Sequence, residues 1–241
     1  MPHVHRFYVP QESVSAAEIA LPLEESHHAL HVVRVQQGER VVLFDGEGTE
    51  LDGEVSRATR REVFVAVRKT RRIPEPATGL TLLQAWLHQE RSIEYLIRRC
   101  TELGVTRFRF FRGGHSERAP RLTPKLTRVA IEACKQCGRA WLPSFEVAPD
   151  LRAAIEGIEG GLLILTQHLD PVPLRQAVQA REATVIIGPE GDFTPEELGA
   201  AERRGAVPIS LGGATYRAEV AATLAATLIL YELGEVGPRG A

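Results

Sequence analysis

Residues 184–197 read Thr184-Val185-Ile186-Ile187-Gly188-Pro189-Glu190-Gly191-Asp192-Phe193-Thr194-Pro195-Glu196-Glu197. Thr184 to Ile187 is the continuous apolar run expected of a strand covered on both faces. Gly188-Pro189 ends that run. Thr194-Pro195-Glu196-Glu197 then supplies a capping hydroxyl, a first-turn proline and a glutamate three residues on, which together open a helix. Strand, glycine turn and capped helix form the repeating unit of an α/β sheet, where ligands sit beyond the carboxyl ends of the strands. Glycines at 188 and 191 would let backbone approach a ligand closely. The stretch has neither the Gly-Lys-Ser/Thr of a phosphate loop nor Gly-x-Gly-x-x-Gly.

The same grammar extends outward on both sides. Upstream, Leu80 to Trp86 reads as a strand and Ser92 to Leu103 as a helix closed by Gly104. Val105 to Phe111 reads as a strand, Thr123-Pro124 opens a helix to Gly138, and Leu162 to Thr166 is a buried strand. Downstream, the capped helix runs to Arg204 and Gly205, followed by a strand over Val207 to Leu211. A long Ala/Leu-rich helix then runs from Arg217 or Ala218 to Leu233. This alternation predicts an α/β domain over residues 80–241 with a mostly parallel sheet.

Residues 1–72 have a different rhythm. Short runs over Arg40–Phe44, Glu50–Val55 and Glu62–Val67 alternate apolar with other residues, and Asp45-Gly46-Glu47-Gly48 is a turn. Glu24 to Val33 reads as a short helix. A small β-barrel is the expected product. Ile73-Pro74-Glu75-Pro76-Ala77-Thr78-Gly79 is the expected linker.

The chain has 241 residues, 44% hydrophobic and 25% charged, which excludes a disordered or collagen-like polypeptide. Its longest apolar stretch, Val220 to Leu233, is broken by Thr223, Thr227 and Glu232, so no membrane span is expected. The first six residues lack the apolar core of a signal peptide, and three cysteines do not make a disulfide framework. A cytoplasmic protein is expected. The net charge of −2 hides a strong asymmetry. Residues 80–145 carry twelve basic and five acidic side chains, whereas residues 146–241 carry seven and fourteen. The middle third is therefore the expected phosphate-facing surface.

Three strand ends on one side of the sheet could close one pocket: Thr166-Gln167-His168, Gly188 to Asp192, and Leu211-Gly212-Gly213-Ala214-Thr215-Tyr216-Arg217. Cys134-Lys135-Gln136-Cys137 lies in a helix without a second ligand pair, and is read as two buried, unreactive thiols rather than a zinc site. The eight histidines show no His-Glu-x-x-His spacing, so no metal is expected. No Gly-x-Ser-x-Gly elbow supports a serine hydrolase.

Four strings in order resemble the bacterial small-subunit ribosomal RNA (uracil-N3)-methyltransferases of the SPOUT superfamily. They are Thr101-Glu102-Leu103-Gly104-Val105; Glu132-Ala133-Cys134-Lys135-Gln136-Cys137-Gly138-Arg139; Ile187-Gly188-Pro189-Glu190-Gly191; and Leu211-Gly212 with Arg217-Ala218-Glu219. Phe44-Asp45-Gly46 looks like that family's N-terminal barrel. The resemblance implies a PUA-like RNA-binding barrel over 1–72 and a C-terminal domain with a trefoil knot. It also implies a homodimer, the cofactor S-adenosyl-L-methionine, and a uridine of small-subunit (16S) ribosomal RNA as substrate.

The cofactor would meet Thr166, Gln167, His168, Ile187, Gly188, Pro189, Glu190, Gly191, Leu211, Gly212, Tyr216 and Arg217. Arg217 would stabilise charge on the base, and Glu219 or Glu190 would take its proton. Arg6, Arg99, Arg112, His115, Arg118 and Arg139 are the expected RNA-binding residues. The last motif departs from the family pattern: Ala214, Thr215, Tyr216 and Val220 replace an arginine, isoleucine, leucine and threonine. Asp192 stands where glycine is usual, and Arg99 where lysine is usual. The alternatives are an RNA-binding relative that has lost turnover, a methyltransferase for another RNA nucleotide, and an unrelated nucleotide-binding α/β enzyme.

Overall fold

The computed structural model describes residues 4–158 and 161–237. The chain divides into two compact units, Met1–Glu75 with Ile131–Leu142, and Pro76–Ala130 with Pro143–Ala241.

The first unit is built on a five-stranded sheet of β1 (His5–Tyr8), β2 (Glu18–Ala20), β3 (Arg40–Phe44), β4 (Thr49–Ala58) and β5 (Val63–Arg72), in the order β1-β3-β4-β5-β2. Only the β1–β3 pair is parallel. Alternation along the strands buries Leu43, Leu51, Val63 and Val65 completely, and Phe7 joins them from β1. Gly53 sits against the Val65 side chain, where a Cβ has no room. The helix expected over 24–33 forms in two pieces. α1 (Leu23–His27) passes into a π-helical turn, His28–Val33, which Arg34 ends in the left-handed region. β1 and β2 leave no signal in the sequence, because at three or four residues they are too short to show a period.

The second unit is a six-stranded sheet in the order β11-β9-β10-β6-β7-β8. Its elements are β6 (Gly79–Ala85), α2 (Glu90–Leu103), β7 (Arg107–Phe111), α3 (Pro124–Cys137), β8 (Ser144–Ala148), α4 (Leu151–Ile155) and β9 (Leu162–Leu165), then α5 (Leu174–Ala177), β10 (Glu182–Ile187), α6 (Pro195–Arg203), β11 (Val207–Ile209) and α7 (Ala218–Glu232). Every strand pair is parallel, as the apolar runs predict. Leu83, Phe111, Ile164 and Ile186 are buried between the sheet and the helices, and α2 packs along α7. The capping box at Thr194 is present in full, with Glu197 N donating to Thr194 Oγ1 and Thr194 N to the Glu197 carboxylate. Gly104 closes α2 at φ +121°. β8, α4 and α5 are additions to the elements expected from sequence. β8 is an edge strand with a mostly half-exposed pattern, so it lacks the apolar run that marks its neighbours.

The second half of α3, Ile131–Cys137, belongs to the first unit. There the buried Lys135 Nζ meets Glu25 at 3.0 Å, Glu132 at 2.8 Å and His28 Nδ1 at 2.9 Å. Burial raises the Glu25 carboxyl above its ordinary range, although Lys135 opposes the shift. Burial lowers His28, and Lys135 adds to that effect. Trp141 Nε1 donates to the carbonyls of Ile73, at 3.1 Å, and Pro74, at 3.0 Å, so the start of the expected linker is tied to this unit.

Lys135→Met strands the buried Glu25 carboxylate, and at pH 8 it should cost about 3–5 kcal/mol of unfolding free energy in a denaturant titration. A carboxyl with a raised folded-state pKa accepts a proton readily, so the penalty should shrink as pH is lowered to 5. Equal losses at both pH values would show that Glu25 is not the group left uncompensated.

Candidate functional site

Register places the site. Ile187 of β10 lies opposite Gln84 of β6 and Leu165 of β9, and Leu165 lies opposite Ile209 of β11. Four neighbouring parallel strands therefore end at one level. The loops beyond them enclose a cavity of about 600 Å3.

Leu165, Thr166 and Gln167 line it from β9, and Ile187 to Glu190 with Asp192 from β10. Ser210, Leu211 and Ala214 to Arg217 line it from β11, and Ala218, Glu219 and Ala221 from the first turn of α7. Gln89, the N-cap of α2, with Arg91 and Ser92 in its first turn, closes the fourth side. Three loops were expected and four are present. The β6 strand end is legible in the sequence, but its loop carries no glycine to draw attention to it.

Most of the expected cofactor residues are brought together: Thr166, Gln167, Ile187, Gly188, Pro189, Glu190, Leu211, Tyr216 and Arg217 all line the cavity. His168, Gly191 and Gly212 do not. His168 Nε2 instead meets Asp192 Oδ2 at 3.0 Å. Gly191 serves contact between loops rather than approach of a ligand, because a Cβ there would stand 2.9 Å from the His115 Cβ. Gly212 turns the chain at φ +93°, its N–H donating to Ser210 Oγ at 3.1 Å, with open space where a Cβ would stand.

Polar contacts between loops hold the walls. Gln84 is fully buried in β6 and donates through Nε2 to the carbonyls of Gly188, at 3.2 Å, and Ala85, at 2.9 Å. Glu190 Oε1 accepts from the backbone N of His88 at 3.1 Å. Ser92 Oγ donates to Glu219 Oε1 at 3.2 Å, joining the start of α2 to the start of α7. Asp192, at φ +61°, is one of two described non-glycine residues in the left-handed region. Its Oδ1 accepts from Phe193 N at 2.8 Å, and its carbonyl accepts from His115 Nδ1 at 3.0 Å. Aspartate is among the few residues that tolerate this conformation, so it can occupy a position that favours glycine.

The cavity walls carry three carboxylates, Glu190, Asp192 and Glu219, and two guanidiniums, Arg91 and Arg217. Arg217 is the exposed N-cap residue of α7, and no ion pair or hydrogen bond engages its side chain among the described residues. Such a cation at the rim can meet negative charge developing on a ligand.

The expected RNA-binding residues divide into two groups. Arg112, His115 and Arg118 are exposed on the loop after β7. Arg99 is exposed on α2 but paired with Glu102 at 2.8 Å. Arg6 is a brace inside the first unit, donating to Glu50 Oε1 at 2.7 Å and to the Arg139 carbonyl at 3.1 Å, with only 14% of its side chain exposed. Arg139 is half-buried. The two thiols of Cys134-Lys-Gln-Cys137 part company. Cys134 is buried and its pKa is pushed up to about 12, mainly by desolvation, whereas Cys137 is exposed, against expectation. No group of three metal-ligating side chains and no helix long and apolar enough to cross a membrane occurs among the described residues.

Comparison with known proteins gives the site a context. Residues 74–230 match the family described as RNA methyltransferase domain, and residues 21–68 the RNA methyltransferase PUA domain. The chain is 29% identical over 244 residues to the ribosomal RNA small subunit methyltransferase E of Mycobacterium tuberculosis, covering 96% of this chain and 90% of that one. It is 27% identical over 232 residues to the Synechocystis protein of the same name, covering 92% and 75%. A Legionella pneumophila structure described as a methyltransferase with bound cofactor SAM superposes with a TM-score of 0.84 at 26% identity, over 95% of this chain and 98% of that one.

The conformation of Asp192 is directly testable. Asp192→Gly removes the conformational penalty and the Asp192 side-chain bonds together, and should leave unfolding free energy within about 0.5 kcal/mol of the parent. Asp192→Val places a β-branched residue in the left-handed region and should cost at least ~1–2 kcal/mol. Equal thermal stability of the two variants would show that backbone conformation does not select the residue here.

Proposed function

The chain belongs to the RNA methyltransferase family, and we propose that it methylates N3 of a uridine in small-subunit (16S) ribosomal RNA, using S-adenosylmethionine as donor. The observation that carries this reading is the cavity closed by four strand-end loops in the domain that matches the family. The small-subunit ribosomal RNA methyltransferases that align over nearly the whole chain support the substrate class.

The residues present fit the donor. A volume of about 600 Å3 lies within the ~300–1,000 Å3 of small-ligand sites. Leu165, Ile187 and Leu211 offer apolar surface for a base, and Thr166 and the loop backbone offer hydrogen bonds. Glu190, Asp192 and Glu219 offer negative charge toward an ammonium and a sulfonium. When bound, the donor supplies an electrophilic methyl group.

The chain's own residues do the rest. Arg217 stabilises the negative charge that builds on the uracil as its N3 proton leaves. Glu219, steadied by the Ser92 hydroxyl at 3.2 Å, is placed to accept that proton. Glu190 is bonded to the His88 amide at 3.1 Å, which favours a positioning role for it. Loops on four sides limit water and fix orientation, from which much of the acceleration comes.

On the same reading residues 1–72 bind RNA and residues 80–241 carry the chemistry. The trefoil passage lies among the loops after β9, β10 and β11. Arg112, His115 and Arg118 form the part of the RNA surface beside the catalytic sheet. A homodimer is supported by α7, an Ala- and Leu-rich helix that leaves Leu228 and Tyr231 exposed.

Calorimetry should show S-adenosylmethionine binding, and a tritiated-methyl assay on undermodified small subunits should show transfer to one uridine. Arg217→Ala should lower kcat by about 10²–10³ while donor affinity changes little. Full activity in that variant would remove Arg217 from the chemistry. Ser92→Ala should lower kcat less than Arg217→Ala does, because it loosens Glu219 without removing it. Absence of donor binding by the parent protein would favour an RNA-binding relative without turnover.

A further inference from the structure

The stretch from the end of β6 into the first turn of α2 has a cavity on each side. Gln89, Arg91 and Ser92 face the large cavity. Trp86 and His88 face a second, of about 310 Å3, whose other walls include Arg118, Arg121 and Thr123 from the stretch between β7 and α3. We propose that this second cavity holds one nucleotide of the RNA strand, the neighbour of the nucleotide presented to the first. The proposal rests on the methyltransferase reading and adds a separate substrate subsite to it.

Charge carries the argument first. Arg118 and Arg121 are exposed, and neither guanidinium has an ion pair or hydrogen bond among the described residues. The acidic groups around them are already engaged: Glu117 meets His88 Nδ1 at 2.7 Å, and Glu90 meets Lys125 at 3.5 Å. Among the side chains that line the cavity, two guanidiniums, Arg118 and Arg121, stand against one carboxylate, Glu90, so the excess charge facing it is positive. Two guanidinium forks match the geometry of phosphate oxygens.

The interior suits the rest of a nucleotide. Thr123 Oγ1 is buried without a hydrogen-bond partner, and a ribose hydroxyl or a base edge would satisfy it. Trp86, set edge-on against Phe110 at 5.2 Å, gives the cavity an aromatic wall, the surface on which unpaired bases are held. A volume of about 310 Å3 is at the lower end of the ~300–1,000 Å3 of small-ligand sites, which suits one nucleotide. The two cavities are also linked, because the His88 amide donates to Glu190 of the first at 3.1 Å.

The test titrates the full chain at low salt with a 5′-phosphorylated uridine trinucleotide and follows tryptophan fluorescence. The trinucleotide should quench emission, and Trp86→Phe should abolish most of the quench. Arg118→Ala combined with Arg121→Ala should weaken binding at least tenfold. The slope of log affinity against log salt should flatten by about 0.7 for each phosphate that is no longer neutralised. Donor affinity of the double variant should match the parent by calorimetry, which also reports that it is folded. Unchanged trinucleotide affinity in the double variant would overturn the proposal. So would displacement by inorganic phosphate at concentrations matching the trinucleotide, which would reduce the cavity to a site for free anions. Failure of the parent to bind S-adenosylmethionine would sink the methyltransferase reading instead, and the trinucleotide data would still judge the subsite.

Discussion

The level ending of four parallel strands is the constraint on which the site depends. β11, β9, β10 and β6 pair in register, so Ile209, Leu165, Ile187 and Gln84 stand side by side. A parallel ladder gains its hydrogen bonds only in that alignment, and both faces of the strands are apolar. Slippage of one strand would misalign the ladder and also lower one wall of the cavity. The energy that fixes the sheet and the geometry that forms the pocket are thus the same quantity.

Loops beyond such an edge have little apolar surface to bury, and here they are held by specific polar bonds. Gln84 is the deepest of these. It lies inside the sheet, yet its amide reaches the Gly188 carbonyl of the neighbouring loop. Within a dry interior such a bond is strong and its loss is costly. The Ser92–Glu219 and His88–Glu190 bonds repeat the arrangement nearer the rim. Each joins two loops through a polar group at the cavity, so pre-organisation and ligand contact share the same side chains.

The distribution of charge follows a similar division of labour. Where carboxylates and cations meet in buried places, as at Lys135 with Glu25, they serve the fold. Arg6 belongs to this class too, although its position in the sequence suggested RNA. Guanidiniums without such partners include Arg112, Arg118, Arg121 and Arg217, on exposed loops after β7 and β11. Only these can offer full charge to a polyanion, because a paired guanidinium has already surrendered much of its donor capacity.

Much of this was legible in the chain itself. The apolar runs at 162–166 and 184–187, the capping box at Thr194 and the glycine after Leu103 declared strands and helix ends, because each depends on neighbours within a turn or two. The parallel sheet and three of the four loops followed from them. What the sequence left hidden depends on partners far along the chain. The start of α2 at 89–92 joins the cavity only because β6 lies beside β10, about a hundred residues away. Gly191 is a glycine because His115 packs on it, and Arg6 is a brace because Glu50 and Arg139 converge on it. Local pattern determines what each segment becomes. Which segments meet is decided by the whole sheet at once, since register and burial are satisfied only when all its strands are in place.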